Sequence, residues 1–308
     1  MPDMSPFLSA LTLIVKPDPA LIAKAQARAT SALGGHGIGP LDFTTLSEAE
    51  AAQAIFAHDN PALLRPVLAG ALADLPVDYA ILPAEGRRKR ALLADMDSTM
   101  ITVECIDELA DYAGIKAEVA RVTEAAMRGE LDFAAALEAR VRLLAGLETS
   151  VLETCYRERV RMTPGGATLV ATMARAGART VLVSGGFSFF TDRVRAALGF
   201  HDARANRLAI VEGRLKGTVI APLVTAETKR DVLRALETDH GIAPADILAV
   251  GDGANDIPML EAAGLGVAYH AKPKAETAAD VAIRHGTLEA LLFLQGYSRK
   301  EFAGAATD

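Results

Sequence analysis

Ala91-Leu92-Leu93-Ala94-Asp95-Met96-Asp97-Ser98-Thr99 passes from four apolar residues directly into two aspartates that are separated by one residue. Two later stretches have the same form: residues 180–183 enter Ser184-Gly185-Gly186, and residues 247–250 enter Gly251-Asp252-Gly253. Short apolar runs of this kind are typical of parallel strands buried on both faces, and helical spacing lies between them. The pattern therefore predicts an α/β fold whose parallel sheet is covered by helices on both sides.

The composition limits the class of protein. Of the 308 residues, 51% are hydrophobic and 23% are charged, which excludes a mainly disordered chain and supplies apolar material for about two domains. The formal net charge of -7 argues against nucleic acid as the main partner, because phosphate backbones recruit a surplus of Lys and Arg. Cys105 and Cys155 do not make a disulfide framework, and no Cys/His spacing resembles a zinc site.

The chain start and the apolar stretches bear on localisation. The first 15 residues lack a basic leader and carry Asp3, so they form a poor signal peptide. No apolar stretch of the sequence approaches the ~20 residues that a membrane-spanning helix needs. We therefore expect a cytoplasmic protein without a membrane partner.

The first 84 residues have a strand and helix order of their own. Strands are predicted at residues 11–15 and 77–82, helices at 19–33 and 62–75, an extended segment at 42–46 and an ambiguous one at 51–58. This order, βαββαβ, is that of a ferredoxin-like domain. Residues 83–90 contain Pro, Gly and four consecutive basic residues, which predicts a linker whose charges are solvated.

The first polar stretch suits a metal ion. In an extended segment Asp95 and Asp97 point to the same side while Met96 points away. Two such carboxylates resist joint ionisation unless a cation lies between them, and the pair suits Mg²⁺. A calcium loop is the alternative, but Met100 and Ile106 stand where it requires Gly and Glu. The sequence therefore favours magnesium over calcium.

The other two polar stretches each have a functional and an ordinary interpretation. Ser184-Gly185-Gly186 offers a hydroxyl and accessible backbone N–H groups at a helix start, which is an anion site, but it also suits a common Gly-rich turn. Residues 251–256, Gly-Asp-Gly-Ala-Asn-Asp, add two carboxylates and an amide, or form a turn with an acidic helix cap. Together the three stretches indicate one site, because functional residues gather at the carboxyl ends of parallel strands.

In combination, these stretches resemble the aspartate-nucleophile phosphatases of the haloacid dehalogenase superfamily, and within it the bacterial phosphoserine phosphatases. The resemblance covers roughly residues 90–295 and rests on residues 95–99, 104–108, 126–133, 184–187, 251–256 and 269–273. It implies a haloacid dehalogenase-like Rossmannoid sheet in residues 85–308, with a helical C1-type cap inserted at approximately residues 103–163.

The resemblance also implies roles for individual residues. Asp95 would be the nucleophile that becomes an aspartyl-phosphate, and Asp97 would protonate the leaving alkoxide and then activate water. Mg²⁺ would be held by the Asp95 carboxylate, the Asp97 backbone carbonyl and Asp252, with Asp256 orienting water on the metal. The phosphoryl oxygens would be bound by Ser184, Gly185 and Lys229. From the sequence pattern alone, Lys229 would be a solvated helix lysine.

The cap would select the substrate, which the resemblance implies is O-phospho-L-serine. Its hydrolysis to L-serine and phosphate is the last step of L-serine biosynthesis. The substrate ammonium would pair with Glu104 and the carboxylate with Arg140, since a guanidinium matches a carboxylate in bidentate geometry. The apolar walls and a further substrate contact would come from Met127, Phe133 and Asn255.

Two other functions stay open at this stage. A phosphatase acting on another small ester, such as phosphoglycolate or a sugar phosphate, would leave Glu104 without a partner. A non-catalytic amino-acid sensor with the same fold would not need the set Asp95, Asp97, Ser184 and Asp252. The pattern of residues favours the phosphatase over the sensor.

Residues 1–84 resemble an ACT-type domain, a ferredoxin-like module that pairs and binds amino acids in several biosynthetic enzymes. The resemblance implies a homodimer formed through this module and a regulatory role for serine.

Overall fold

A computed structural model describes residues 8–58, 60–127 and 130–304 and contains two β-sheets. The strands are Leu8–Val15 (β1), Phe43–Ser47 (β2), Ala51–Ala57 (β3), Val77–Pro83 (β4), Ala91–Ala94 (β5), Arg179–Phe187 (β6), Asp202–Val211 (β7), Arg214–Ile220 (β8), Ile247–Gly251 (β9), Leu265–Tyr269 (β10) and Val281–Ile283 (β11).

Twelve α-helices are described alongside these strands. They are Pro19–Gly34 (α1), Arg65–Leu72 (α2), Cys105–Tyr112 (α3), Lys116–Met127 (α4), Phe133–Leu143 (α5), Ser150–Arg159 (α6), Gly166–Arg175 (α7), Ser188–Leu198 (α8), Ala226–His240 (α9), Ile257–Ala262 (α10), Pro273–Ala278 (α11) and Ala290–Leu294 (α12). In the described part of the chain, no helix is both long and apolar enough to span a lipid bilayer.

The N-terminal sheet is antiparallel, with strand order β2-β3-β1-β4. Helices α1 and α2 pack on one of its faces around Leu11, Leu13 and Leu68. The predicted βαββαβ order is therefore present, and the ambiguous segment is strand β3. The predicted helix at residues 62–75 is wrong in extent, because α2 ends at Leu72. Pro76 explains the early end, since a proline disfavours helical geometry in the residue before it.

The opposite face of this sheet is covered by the C-terminal part of the chain. Ile14, Leu46 and Ala80 belong to the same apolar cluster as α12, so the two sheets share buried surface. The basic linker is tied to this region rather than fully solvated. Arg88 pairs with Glu301 at 2.7 Å, and Lys89 Nζ donates to the Ala245 carbonyl oxygen at 2.7 Å.

The second sheet has strand order β11-β10-β9-β5-β6-β7-β8, and of these described strands only β8 runs antiparallel to its neighbour. Leu92 faces the cluster that contains α7 and α8, whereas Leu93 faces α9 and α10. This confirms the predicted α/β class, with helices on both faces of a mainly parallel sheet. Because β5 lies between β6 and β9, the three polar stretches emerge side by side at one edge.

Along the chain, the helices α3 to α6 form an insert between β5 and α7. Ile101 and Met162 make an isolated β-bridge where the chain enters and leaves this insert. The β7–β8 hairpin, which the sequence pattern did not indicate, contacts the far side of the insert. The Gly146 N–H donates to the Leu215 carbonyl oxygen at 2.8 Å, so the insert is held at both ends.

The N-terminal sheet is also joined to the C-terminal part by a buried carboxylate. Asp78 on β4 is 2% exposed and accepts backbone N–H groups from Arg284 at 2.7 Å, from His285 at 3.1 Å and from Gly286 at 2.7 Å. Three donors converge on one side chain, which makes this contact a strong connection between the two sheets.

We expect Asp78→Ala to lower the free energy of unfolding by about 3 kcal/mol, because it leaves buried N–H groups without an acceptor. Urea unfolding measures this loss. The exposed Asp192 on α8 provides the control Asp192→Ala, which should change stability by no more than about 0.5 kcal/mol. Equal losses in the two variants would contradict the role given to Asp78.

Candidate active site

A cavity of about 260 Å³ lies at the carboxyl ends of β5, β6 and β9, beneath the helical insert. Nine of the twelve predicted site residues line it: Asp95, Asp97, Glu104, Phe133, Arg140, Ser184, Gly185, Asp252 and Asn255. Lys229 and Asp256 are fully buried and contact this group from the protein interior. The predicted contact from Met127 falls on a side chain that lies outside the described residues.

Lys229 connects two of the carboxylates. It is 1% exposed, and its ammonium contacts Asp95 Oδ1 and Asp256 Oδ1. Burial acts to lower the pKa of Lys229, but the charges of Asp256 and Asp95 outweigh burial and raise it. The ammonium therefore stays charged, and the solvated position that the sequence pattern alone suggests for Lys229 is wrong.

Asp256 fixes the loop that follows β9. Its Oδ2 accepts the backbone N–H groups of Asp252 at 3.1 Å and Gly253 at 3.0 Å, while its Oδ1 faces Lys229. A Cβ at Gly251 would lie 2.4 Å from the Asp256 side chain, so this position accepts only glycine. Both oxygens of Asp256 are thus engaged in holding neighbouring groups in place.

The site holds more negative charge than Lys229 can balance. Carboxylate oxygens of Asp95, Asp252 and Asp256 all lie within 4.8 Å of one another. Burial raises the pKa of Asp95 and of Asp252, and repulsion from Asp256 raises both further. A hard divalent cation with oxygen ligands would relieve this repulsion, so the donor set fits a metal ion. With Asp256 engaged, Asp95 and Asp252 are the carboxylates that suit it.

Asp97 faces the same cavity as Asp95. The backbone is extended at both residues and Met96 between them is buried, as the alternation of side chains predicts. Asp97 Oδ1 accepts the Cys105 N–H at 2.9 Å, and its Oδ2 accepts the Ser184 hydroxyl at 3.0 Å. Burial raises the pKa of Asp97, which favours a protonated carboxyl in this position. The group is therefore suited to donate a proton.

Glu104 and Arg140 bring opposite charges into the upper part of the cavity. Glu104 precedes α3, and its Oε1 accepts the Ser98 hydroxyl at 2.7 Å. Burial first, and then the charge of Asp97, raise the pKa of Glu104 to about 7. Arg140 lies on α5, where burial lowers its pKa and its Nε donates to the Ala136 carbonyl oxygen at 3.2 Å. The cavity thus presents one acid and one guanidinium.

Sequence reasoning missed several contributors to the cavity. Ser98 has a positive φ of 57°, and this turn aims its hydroxyl at Glu104. Lys272 lines the cavity with its Nζ 3.7 Å from Asp252 Oδ2, although residues 269–273 received no role from the sequence. Asp107, in the first turn of α3, also lines it and was likewise given no role.

An α/β sheet with a helical insert and an aspartate-rich cavity at its strand ends defines a hydrolase of the haloacid dehalogenase type. The chain belongs to the haloacid dehalogenase-like hydrolase family, whose profile matches residues 92–261. A phosphoserine phosphatase of Streptomyces coelicolor is 46% identical over 246 residues, which cover 79% of this chain and 60% of that protein. A phosphoserine phosphatase of Polaromonas sp. is 49% identical over 205 residues, which cover 65% of this chain and 87% of that protein.

Solved structures extend the similarity to the N-terminal sheet. A haloacid dehalogenase family hydrolase of Salmonella enterica serovar Typhi has a TM-score of 0.83 and 30% identity, covering 93% of this chain and 98% of its own. A probable phosphoserine phosphatase of Vibrio cholerae has a TM-score of 0.77 and 34% identity, covering 94% of this chain and 86% of its own. Residues 85–308 are only about three quarters of the sequence, so both alignments include N-terminal residues.

The raised pKa of Glu104 predicts a pH-dependent stability. The folded protein keeps the Glu104 proton up to about pH 7, whereas the unfolded chain releases it near the ordinary value of 4.5. The stabilisation that the protonated Glu104 carboxyl contributes is complete below pH 4.5 and is lost as the pH rises to 7. Measured against Glu104→Gln, the free energy of unfolding should fall by up to about 3 kcal/mol over this range. Urea unfolding with a chelator present, from pH 4.5 to 8, measures the difference.

The exposed Glu124 on α4 supplies the control Glu124→Gln, which should change the free energy of unfolding by no more than about 0.5 kcal/mol. A pH-independent difference between Glu104→Gln and the unsubstituted chain would contradict the prediction.

Proposed function

We propose that this chain is a cytoplasmic phosphatase that hydrolyses O-phospho-L-serine to L-serine and inorganic phosphate, the last step of L-serine biosynthesis. The observation that carries the proposal is the placement of Glu104 and Arg140 in one cavity with Asp95 and Asp97. Relatives named phosphoserine phosphatase, 41–49% identical to this chain, support it.

Asp95 is the proposed nucleophile. One carboxylate oxygen attacks phosphorus, the ester P–O bond breaks, and the phosphoryl group becomes bound to Asp95. The alkoxide of serine takes the proton of Asp97, whose raised pKa favours the protonated form that this step needs. Asp97 then removes a proton from water, which attacks the phosphoryl group and regenerates Asp95. Each proton that Asp97 donates is thus recovered in the second step.

The phosphoryl oxygens are proposed to bind at the end of β6. Backbone N–H groups of Ser184 and Gly185 and the ammonium of Lys229 supply positive potential. The Gly186 N–H is already engaged with Ser184 Oγ at 2.8 Å, so it holds the serine hydroxyl toward Asp97 rather than contacting the substrate. The fixed amides and one buried cation need no rearrangement as charge develops on the phosphoryl group.

Magnesium is the proposed cofactor, held by the Asp95 carboxylate, the Asp97 backbone carbonyl and Asp252. When bound, the ion neutralises charge on the phosphoryl group. Asp256 keeps Asp252 and Lys229 in position through its two engaged oxygens. The excess of carboxylates over cations at the site supports this assignment.

Glu104 and Arg140 are the proposed selectors of the amino-acid part. Glu104 in its charged form binds the ammonium, and Arg140 binds the carboxylate. Phe133 closes the cavity above Gly185. A Cβ added at Gly185 would lie 3.0 Å from the Phe133 ring. Asn255 lines the cavity, and Met127 is the remaining proposed wall. A substrate without an amino group, such as phosphoglycolate, would bury Glu104 unpaired, which is costly.

Phosphate release from a panel of esters tests the proposal. In magnesium chloride, we expect the full chain to favour phosphoserine over phosphoglycolate and sugar phosphates. A chelator should abolish activity and added magnesium restore it. Asp95→Asn should lower kcat by about 10³-fold or more, because the nucleophile is lost.

Glu104→Gln is the matched variant for selectivity, because it keeps the shape and removes the charge. It should reduce the preference for phosphoserine over phosphoglycolate by about 10-fold. Equal rates for the two esters with the unsubstituted chain would refute the substrate assignment. Full activity of Asp95→Asn would refute the mechanism.

We further propose that residues 1–84 form an ACT-like module that pairs two chains and binds serine as a regulator. Support comes from the βαββαβ order and from Asp78, which connects this module to residues 284–286 of the catalytic part. The His270 ring contacts the Gly286 carbonyl oxygen at 2.9 Å, and Lys272 follows two residues later. A change in the module would thus reach residues beside Asp252.

Calorimetric titration with L-serine separates regulation from product binding. We expect two serine sites per chain in the unsubstituted protein and one in Glu104→Gln, whose active site no longer pairs with an ammonium. Sedimentation equilibrium should give a dimer. One site in the unsubstituted protein and none in the variant, or a monomer, would contradict this proposal.

A further inference from the structure

The phosphate-binding residues lie in an irregularity of strand β6. Val183 is opposite Arg204 and Phe187 is opposite Asn206, so β6 advances four residues while β7 advances two. The surplus of chain contains Ser184, Gly185 and Gly186, which bulge out of the ladder toward the cavity. Backbone groups in such a bulge lose their strand partners and need other ones.

The side chain of Asn206 supplies the missing partner. It is 0% exposed, and its Nδ2 donates to the Gly185 carbonyl oxygen at 2.8 Å. Its Oδ1 accepts the Val224 N–H at 2.8 Å, and its Nδ2 lies 3.4 Å from the Val224 carbonyl oxygen. The Val224 N–H identifies the amide oxygen of Asn206. If the amide were rotated by about 180°, the Asn206 NH₂ group would face the Val224 N–H, and two donors would oppose each other.

Val224 leads directly to the lysine of the site. It precedes Thr225, whose side chain caps α9 together with Thr228 in a reciprocal pair of hydrogen bonds. Lys229 follows in the same helix, and its ammonium contacts Asp95. A short, hydrogen-bonded path therefore runs from Asn206 to the buried cation.

We infer that Asn206 is a positioning residue that sets the distance between the phosphate-binding bulge at Gly185 and the helix that carries Lys229. Its carboxamide is bonded to both segments at once, and neither Gly185 nor Val224 has a strand partner among the residues that the structure describes. The inference takes the phosphate site at Ser184 and Gly185 from the proposed function, but its effect on anion binding can be measured without any substrate being hydrolysed.

Asn206→Asp tests this because it keeps the shape of the side chain and replaces the NH₂ group at Nδ2 with a carboxylate oxygen. The second carboxylate oxygen would face the carbonyl oxygens of Gly185 and Val224, which repel it. We expect the bulge to shift and inorganic phosphate to bind at least about 10-fold more weakly, while kcat for phosphoserine falls by about 10²-fold. Calorimetry with inorganic phosphate in magnesium chloride measures the first effect.

Gln295 provides a matched control outside the cavity. It is 1% exposed, its Nε2 donates to the Leu291 carbonyl oxygen at 3.0 Å, and its Oε1 accepts the Lys89 N–H at 3.0 Å. Gln295→Glu should therefore lower the unfolding midpoint as Asn206→Asp does, but leave phosphate binding within about 2-fold. If Asn206→Asp does not fold, Asn206→Ser is the second variant. Its shorter side chain cannot bond Gly185 and Val224 at once and adds no charge, so it should show the same weakening of phosphate binding.

Unchanged phosphate binding in a folded Asn206 variant would overturn the inference, as would equal weakening in Gln295→Glu. Failure of the unsubstituted chain to hydrolyse phosphoserine, with phosphate binding still dependent on Asn206, would instead count against the proposed function alone.

Discussion

The buried ammonium of Lys229 is the contact on which the site depends. An unpaired charge at this depth would be strongly unfavourable, so Asp95 and Asp256 must both face it. That requirement fixes the position of β5 relative to the loop after β9 and brings α9 against both. Removing the lysine would leave two carboxylates repelling each other in the interior. The geometry of the candidate site and the local stability of the fold therefore rest on the same three side chains.

Local charge, rather than net charge, decides what this protein can bind. The chain carries a net charge of -7, and its cavity contains several carboxylates, yet Ser184 and Gly185 at the end of β6 offer backbone amides, and the buried Lys229 ammonium contacts the neighbouring Asp95. An anion bound there meets positive potential within a few ångströms, where a low dielectric makes it effective. In the proposed function, the acidic surroundings would bind the metal ion and the ammonium of the substrate.

The sequence predicted the parts of the fold and site that depend on local pattern. Asp95, Ser184 and Asp252 were identified because each follows an apolar run, and buried strand ends converge by geometry. Lys229 was assigned only by resemblance, because its environment comes from partners 134 and 27 positions away in the chain. Asn206 was missed for a related reason. It bonds a backbone group that a register shift between β6 and β7 leaves unpaired, and the sequence of neither strand alone reveals that shift.

The burial of the N-terminal sheet limits how two chains can pair. One face is covered by α1 and α2, and the other packs on the C-terminal cluster through Ile14 and Leu46. Strand β4 lies beside the catalytic part, where Asp78 binds backbone groups of residues 284–286. Pairing through a sheet edge would therefore use β2, which is the other outer strand. Thr44 and Thr45 of β2 are exposed, and such an edge offers backbone donors and acceptors to a second copy.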